Sequence, residues 1–278
     1  MELQNKLVAL DKELAQYGSL VIGFSGGVDS TFLVSEAFKV LGDKVLAVTI
    51  DSAFCPRREI QEAQELAAGI GVKHRLLKVK PLNDKSVAAN PPNRCYYCKK
   101  NIFSELLVVA GAEGLAYVAD GSNVDDDQDY RPGRKALQEL KIVSPLRQAG
   151  LSKADIRALS KERGLATWQK ESAACLASRI PYGEELTTEK LKRVEAAETF
   201  LMPLKLKHLR VRSHGNLARI EVSAEDFPKL LAEPFKMKLI TSFKEFGFKF
   251  VTLDLEGYRT GSLNEALPKK AENATIKI

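Results

Sequence analysis

The segment Ser25-Gly26-Gly27-Val28-Asp29-Ser30 constrains this chain more than any other part of it. It follows an apolar run, LVIGF, and precedes a stretch with helical spacing from about Ser30 to Leu41. Two adjacent glycines let the backbone come close to a ligand. The helix after them presents unpaired N–H groups and the positive end of its dipole to anions, so phosphates belong at such a turn. No lysine follows the glycines, and the spacing is neither GxxxxGK[ST] nor GxGxxG. The hydroxyls of Ser25 and Ser30 can donate to phosphate oxygens, whereas the Asp29 carboxylate can meet phosphate only through a cation such as Mg²⁺. The pattern implies a magnesium nucleotide; an ordinary tight strand-to-helix turn is the plainer alternative.

From Ser19 to Leu165 short apolar runs, LVIGF, KVLAVTI, KHRLLKV and LAYVAD, alternate with helical patterns over about 30–41, 56–69 and 99–113. Runs such as VLAVTI lack polar alternation and suit strands buried on both faces. An α/β fold with a doubly wound parallel sheet is expected, its ligands beyond the carboxyl ends of the strands. Upstream, Leu3, Leu7, Leu10 and Leu14 recur at helical spacing among acids and lysines, which reads as an amphipathic helix and not a signal peptide. A further helix over about 152–164 leads into TWQKESAACLASRIPYG, too long and too rich in Ala and Ser for a plain connector. Beyond it, a helix from Thr187 to Leu201 and the strands HLRVRSH, LARIEV and FKFVTLDL, with two further helical stretches, predict a second, smaller α/β domain. The domains are drawn as 1–183 and 184–278.

The 278 residues are 45% hydrophobic and 28% charged, which excludes disorder for most of the chain. No uncharged stretch approaches the ~20 residues needed to span a bilayer, so no membrane contact and a cytoplasmic location are expected. A net charge of +6 suits anionic small molecules such as nucleotides as readily as RNA; a nucleic-acid partner is not expected because the chain shows no RNA-binding appendage such as extra CxxC zinc ribbons or a strongly basic extension.

Four cysteines, Cys55, Cys95, Cys98 and Cys175, argue for metal binding or catalysis over a disulfide framework. Arg94-Cys95-Tyr96-Tyr97-Cys98-Lys99-Lys100 sets a CxxC pair at a helix start among cations, which suits metal binding or attack on an electrophile. Cys175 lies in the long loop, and the three thiols could close on one site at the strand ends. A zinc site wants four ligands, and His74, His208 and His214 stand at no matching spacing. A [4Fe–4S] cluster on three thiolates would leave one iron open to an exogenous sulfide. Sulfur-carrying thiols without a cluster, or inert cysteines, are the other readings; Cys55 reads as passive. Lys99 or Lys100 could steady phosphate charge, and the acids Asp125, Asp126, Asp127 and Asp129 could help hold Mg²⁺ or form a solvated face. Arg210 and Arg212, two apart on a predicted strand, share a face and form a candidate clamp for phosphate or carboxylate, a solvated strand face being the alternative.

SGGVDS matches the signature SGGxDS of the PP-loop ATP pyrophosphatases, a superfamily with a HUP-like parallel sheet. From about Leu20 to Gly261 the chain resembles the LarE family of sulfur transferases within it. The resemblance is carried by CYYCKK (95–100), DGSNVDDDQDYRPG (120–133), SPL (144–146), ACLASRIPYG (174–183), RVRSHGNLARIE (210–221) and VTLDLEGYRTG (251–261). It implies nucleotide contacts at Phe24, Ser25, Gly26, Gly27, Asp29, Ser30, Asp51, Ser52, Asp120 and Gly121, and a substrate pocket with Ser178, Arg179, Arg210 and Arg212. The implied reaction uses ATP and Mg²⁺ to adenylate the carboxylates of pyridinium-3,5-biscarboxylic acid mononucleotide and converts them to thiocarboxylates, the pincer ligand of the nickel cofactor of lactate racemase. In the best-known pattern a lone cysteine, at the place of Cys175, gives up its own sulfur. The presence of Cys95, Cys98 and Cys175 together instead resembles the branch in which three cysteines hold a [4Fe–4S] cluster, with Lys99 beside them and sulfide attacking the adenylated carbon. A sulfur donor and a homo-oligomer are implied as partners. Sacrifice of the Cys175 sulfur, a cluster-dependent tRNA thiolase and a nucleotide sensor without chemistry are the alternatives.

Overall fold

A computed structural model describes residues 2–127, 132–171, 174–259 and 261–266. The chain runs α1 (Glu2–Tyr17), β1 (Leu20–Gly23), α2 (Val28–Leu41), β2 (Val45–Asp51), α3 (Arg57–Ile70) and β3 (Lys73–Lys78). It continues through α4 (Lys85–Ala88), α5 (Arg94–Glu113), β4 (Tyr117–Ala119), α6 (Gly133–Glu139), α7 (Pro145–Gln148) and α8 (Lys153–Glu162). Last come α9 (Thr188–Leu201), β5 (Leu209–His214), β6 (Leu217–Val222), α10 (Phe227–Leu231), α11 (Phe235–Glu245) and β7 (Phe250–Leu253).

Two compact units result, one formed by residues 1–81 with 93–173 and the other by 82–92 with 174–278. In the first, β1 to β4 form a parallel sheet of order β3-β2-β1-β4, with Leu20 opposite Val45 on one side and Tyr117 on the other. Val21, Ile22 and Val45 to Val48 are buried, as strands covered on both faces require. One face packs on α1, α2, α3 and α8 through Leu10, Leu14, Phe32, Ala63 and Ile156; the other packs on α5 and α6 through Phe103, Leu106 and Leu137. The sheet is therefore doubly wound. The chain steps outward from β1 to β3 and then returns to the far side of β1 as β4, which places the ligand crevice at the carboxyl ends of β1 and β4.

The periodicity places the start of α5 near Lys99, whereas the helix begins at Arg94. Pro91 and Pro92 end the preceding segment, and α5 turns for two rounds before its first core residue, Phe103, appears. Both cysteines of the CxxC pair consequently lie within the helix.

In the second unit β5 pairs antiparallel with β6, and β6 parallel with β7. Leu201, Val211, Ile220, Phe243 and Phe248 form its core. The segment 82–92 joins this unit through Asn90, fully buried at φ +52, whose side-chain amide donates to the carbonyls of Ile180, Pro181 and Glu184. Its own carbonyl accepts the Gly183 N–H at 2.9 Å. Among the described residues no helix is long and apolar enough to cross a membrane.

Candidate active site

The glycine loop is held by its own hydroxyls. Ser25 Oγ accepts the Gly27 N–H at 3.3 Å and lies 3.1 Å from Ser30 Oγ, which accepts the Ser25 N–H and donates to Gly27 O at 3.2 Å. Gly26 has φ +69, and a Cβ there would stand 3.2 Å from the Cα and Cβ of Ala63, so only glycine fits. Gly27 is the N-cap of α2 and no side chain caps the helix, which leaves its first-turn N–H groups to face an anion. Phe24 is pinned just before the loop: its N–H donates to Val48 O and its carbonyl accepts Thr49 Oγ1, both at 2.8 Å. Since the Thr49 proton is used there, His74 Nε2, 2.9 Å away, donates to Thr49 Oγ1; burial lowers the pKa of His74.

The turn after β4 closes on this loop. A Cβ on Gly121 would meet Ser30 N at 3.2 Å, so glycine again permits the approach. Asp120 is buried and accepts Ser122 Oγ at 2.5 Å, Ser144 Oγ at 2.6 Å and Lys99 Nζ at 3.5 Å. Lys100 points away, to Glu139 at 3.0 Å and Tyr96 Oη at 3.1 Å, bonds that raise its pKa. Of the two lysines only Lys99 therefore joins the loop. Asp29 accepts Asn123 Nδ2 at 3.4 Å and the Lys153 ammonium. Within the acid run, Asp126 accepts the Asn123 N–H at 3.0 Å and Asp125 the Lys153 N–H at 2.8 Å, so both hold backbone; Asp129 and the side chain of Asp127 lie outside the described residues.

At the end of β2, Asp51 Oδ1 accepts Arg57 Nη1 at 2.5 Å, while Arg57 Nη2 donates to Ser52 O at 2.7 Å. The buried Ser52 hydroxyl accepts the Phe54 N–H and lies 3.6 Å from Cys55 Sγ. Burial pushes the Cys55 thiol up, which fits a passive residue.

Cys95 and Cys98 are one turn apart on α5 and share a face; Cys95 is exposed and Cys98 half-buried. Arg94 Nη2 donates to Cys95 Sγ at 3.9 Å. The start of α6 packs on this turn so closely that a Cβ on Gly133 would stand 3.3 Å from Cys95 O. Cys175, in the second unit, is exposed and opens a short turn, Leu176–Arg179. All four cysteines are free thiols, and among the described residues no group of three or more His, Cys, Asp or Glu is arranged to hold a metal ion.

The Cys175 turn is gripped by buried arginines. Arg179 pairs with Glu198 at 2.9 and 3.1 Å and gives Nη1 to Ala174 O, Cys175 O and Ser178 Oγ. Arg212 pairs with Glu221 at 3.0 and 2.9 Å, and donates to Ser178 O and Ser262 Oγ. Burial alone would raise the pKa of Glu221; its bonds to Arg212 and Arg219 outweigh that and hold it low. Arg210 lies over the Tyr258 ring at 5.4 Å, and burial, with Arg179 nearby, lowers its pKa. Arg179 and Arg212 are thus already engaged by the carboxylates of Glu198 and Glu221. Glu198, Glu221 and Lys153 were not anticipated from sequence. The β5–β6 register, which sets Arg210 opposite Glu221, would have exposed one of them, but no local pattern exposes the other two.

Residues 3–105 match the NAD synthase family. The chain is 42% identical over 267 residues to an uncharacterized protein of Synechocystis sp., covering 96% of this chain and 100% of that one. It is 38% identical over 271 residues to the pyridinium-3,5-bisthiocarboxylic acid mononucleotide synthase of Lactiplantibacillus plantarum, covering 97% of this chain and 96% of that enzyme. A tRNA-specific 2-thiouridylase of Rhizobium johnstonii is 26% identical over 226 residues, or 64% of this chain and 54% of that protein. With an uncapped helix behind an SGG turn, a switch-point crevice and a match to the synthase over nearly the whole length of both chains, this protein belongs to the LarE family of PP-loop proteins.

Proposed function

We propose that this protein is an ATP-dependent, AMP- and pyrophosphate-forming sulfur transferase that acts on the carboxylates of pyridinium-3,5-biscarboxylic acid mononucleotide in the cytoplasm. The observation that carries the reading is the 38% identity to the synthase across 97% of the chain. The uncapped N-terminus of α2 and the hydroxyls of Ser25 and Ser30 would bind the ATP phosphates. Phe24, fixed by Thr49, and Asp51 and Ser52 would border the nucleoside. Asp29 and Asp120 offer the hard carboxylate oxygens that Mg²⁺ takes, and Lys99 stands at Asp120. The substrate carboxylate attacks the α-phosphorus, and pyrophosphate leaves with the electron pair of the broken P–O bond. A sulfur nucleophile then adds to the acyl carbon, and AMP departs with the pair of the C–O bond. Ser178 and Arg210 would meet the anionic substrate, while Arg179 and Arg212 hold the Cys175 turn for it.

The free thiols of Cys95, Cys98 and Cys175 fit a [4Fe–4S] cluster by number and chemistry, two of them on one helix face. When bound, such a cluster supplies an open iron on which sulfide can be carried.

Anaerobic reconstitution with iron and sulfide, followed by pyrophosphate and thiocarboxylate assays with the mononucleotide, tests the reading. About four irons per chain, lost in Cys95→Ala together with multiple turnover, are expected. Turnover without iron would make Cys175 itself the sulfur source. No pyrophosphate release with this substrate would overturn the proposal.

A further inference from the structure

Most glycines of this chain occupy positions of positive φ, where the backbone itself favours glycine. Gly133 is not among them. It is the first residue of α6 and buried, and a helix prefers almost any other residue except proline. Gly69 and Gly111, also within helices, would meet nothing within 4 Å if they carried a side chain. A Cβ on Gly133 would stand 2.7 Å from Lys99 Cδ and 3.3 Å from both Lys99 Cγ and Cys95 O. The first distance is well inside ordinary carbon–carbon contact and is the shortest for any described glycine.

What fills the place of the missing side chain is the stem of Lys99. From α5 its Cγ and Cδ run across Gly133, and its ammonium ends 3.5 Å from Asp120 Oδ2 and 5.9 Å from the centre of the Phe103 ring. Asp120 is fixed: it is buried and accepts the hydroxyls of Ser122 and Ser144. Lys99 keeps 39% side-chain exposure, so nothing but its surroundings stops a four-carbon stem from carrying the charge into solvent. A methyl group at residue 133 would take the groove that the stem now uses, and the stem would have to leave it through another rotamer.

We propose that Gly133 is a positioning residue of the nucleotide site: by carrying no side chain it leaves the groove in which the Lys99 stem lies, and so keeps the Lys99 ammonium at Asp120, where it meets the phosphates of ATP. The inference rests on the nucleotide reading given above and deepens it by assigning the start of α6 to that site. Gly133 touches no ligand and acts through Lys99 alone.

The test is calorimetric titration of ATP at fixed Mg²⁺ into wild type, Gly133→Ala, Lys99→Ala and the double variant. Gly133→Ala and Lys99→Ala are each expected to weaken ATP binding about 10-fold, the loss of one charge-assisted contact. In the Lys99→Ala background Cγ and Cδ are gone and only the contact to Cys95 O remains, so adding Gly133→Ala should change the affinity by less than about twofold. A role in packing α6 alone would not produce that coupling. Three results overturn the proposal. Unchanged ATP affinity in Gly133→Ala would show that the stem reaches Asp120 by another path. An equal loss in both backgrounds would show that Gly133 acts independently of Lys99. Unchanged affinity in Lys99→Ala would leave the ammonium without a ligand to meet. A wild type that binds no ATP refutes the nucleotide reading itself and this inference with it, a result distinct from those three. Should Gly133→Ala fail to fold, the melting midpoint of the double variant decides: recovery to that of Lys99→Ala upholds the clash with the stem, and an unfolded double variant overturns it.

Discussion

Replacing Arg179 by methionine keeps most of the apolar stem and removes only the guanidinium. That group is 4% exposed and its partner Glu198 15%. Five bonds disappear: two to Glu198, two to the carbonyls of Ala174 and Cys175, and one to Ser178 Oγ. Breaking a buried pair by deleting one partner costs about 3–5 kcal/mol, mainly because the other charge is left uncompensated. Glu198 keeps the Val211 N–H at 3.0 Å and some solvent, which places the cost at the lower end, about 3 kcal/mol.

Against a total stability of about 5–15 kcal/mol, this should lower the melting midpoint by on the order of 10 °C in calorimetry. The effect should also be local. Ser178 N–H donates to Cys175 O at 2.9 Å, and with the carbonyls of the turn released, its hydrogen exchange should accelerate at least about tenfold. Pairing Arg179→Met with Glu198→Gln should cost less than the sum of the two single changes, because the second removes the stranded charge. A loss below about 1 kcal/mol with unchanged Ser178 exchange would refute the reasoning. It would mean that the pair behaves as an exposed ion pair of little net worth and does not hold the cysteine turn.

Gly26→Ala forces a side chain into φ +69 and within 3.2 Å of the Ala63 backbone; about 1–3 kcal/mol of strain and at least tenfold weaker ATP binding should appear in melting and titration experiments. Lys99→Ala should weaken ATP binding because Asp120 loses its cation, whereas Lys100→Ala, which breaks only exposed contacts to Glu139 and Tyr96, should leave ATP affinity and stability within about 1 kcal/mol of wild type. His74 and His214 both have pKa values lowered chiefly by burial, so the unfolded chain takes up their protons at higher pH than the folded one. Their contribution is complete above about pH 6.5 and is lost as pH falls from there through the lower folded values. Urea midpoints measured from pH 7.5 to 5.5 should decline, and His74→Gln should flatten part of that slope.

Most of what is local in this molecule was legible in its sequence. The runs LVIG and VLAVTI read as buried strands because nothing polar interrupts them, and SGGVDS marked the tight turn into α2 because positive φ and an uncapped helix start are properties of a few adjacent residues. The start of α5 was misjudged for a related reason: apolar spacing begins only where the helix meets the core, two turns after Arg94. Asn90 shows where local reading ends, since it joins 82–92 to 180–184 through one side-chain amide that no periodicity marks.

The charges were the least legible part, and the reason is physical. A charged side chain is placed by whatever neutralises it, and the neutralising groups come from distant elements: Glu198 for Arg179, Glu221 for Arg212, Asp29 for Lys153. Strand spacing put Arg210 and Arg212 on one face without revealing that one is engaged by a carboxylate and the other lies over Tyr258. What the sequence does show is that the glycine turn SGGVDS has no lysine or arginine of its own. Which lysines stand beside that turn is set by the fold, which brings Lys153 from the start of α8 onto Asp29 and Lys99 from α5 onto Asp120.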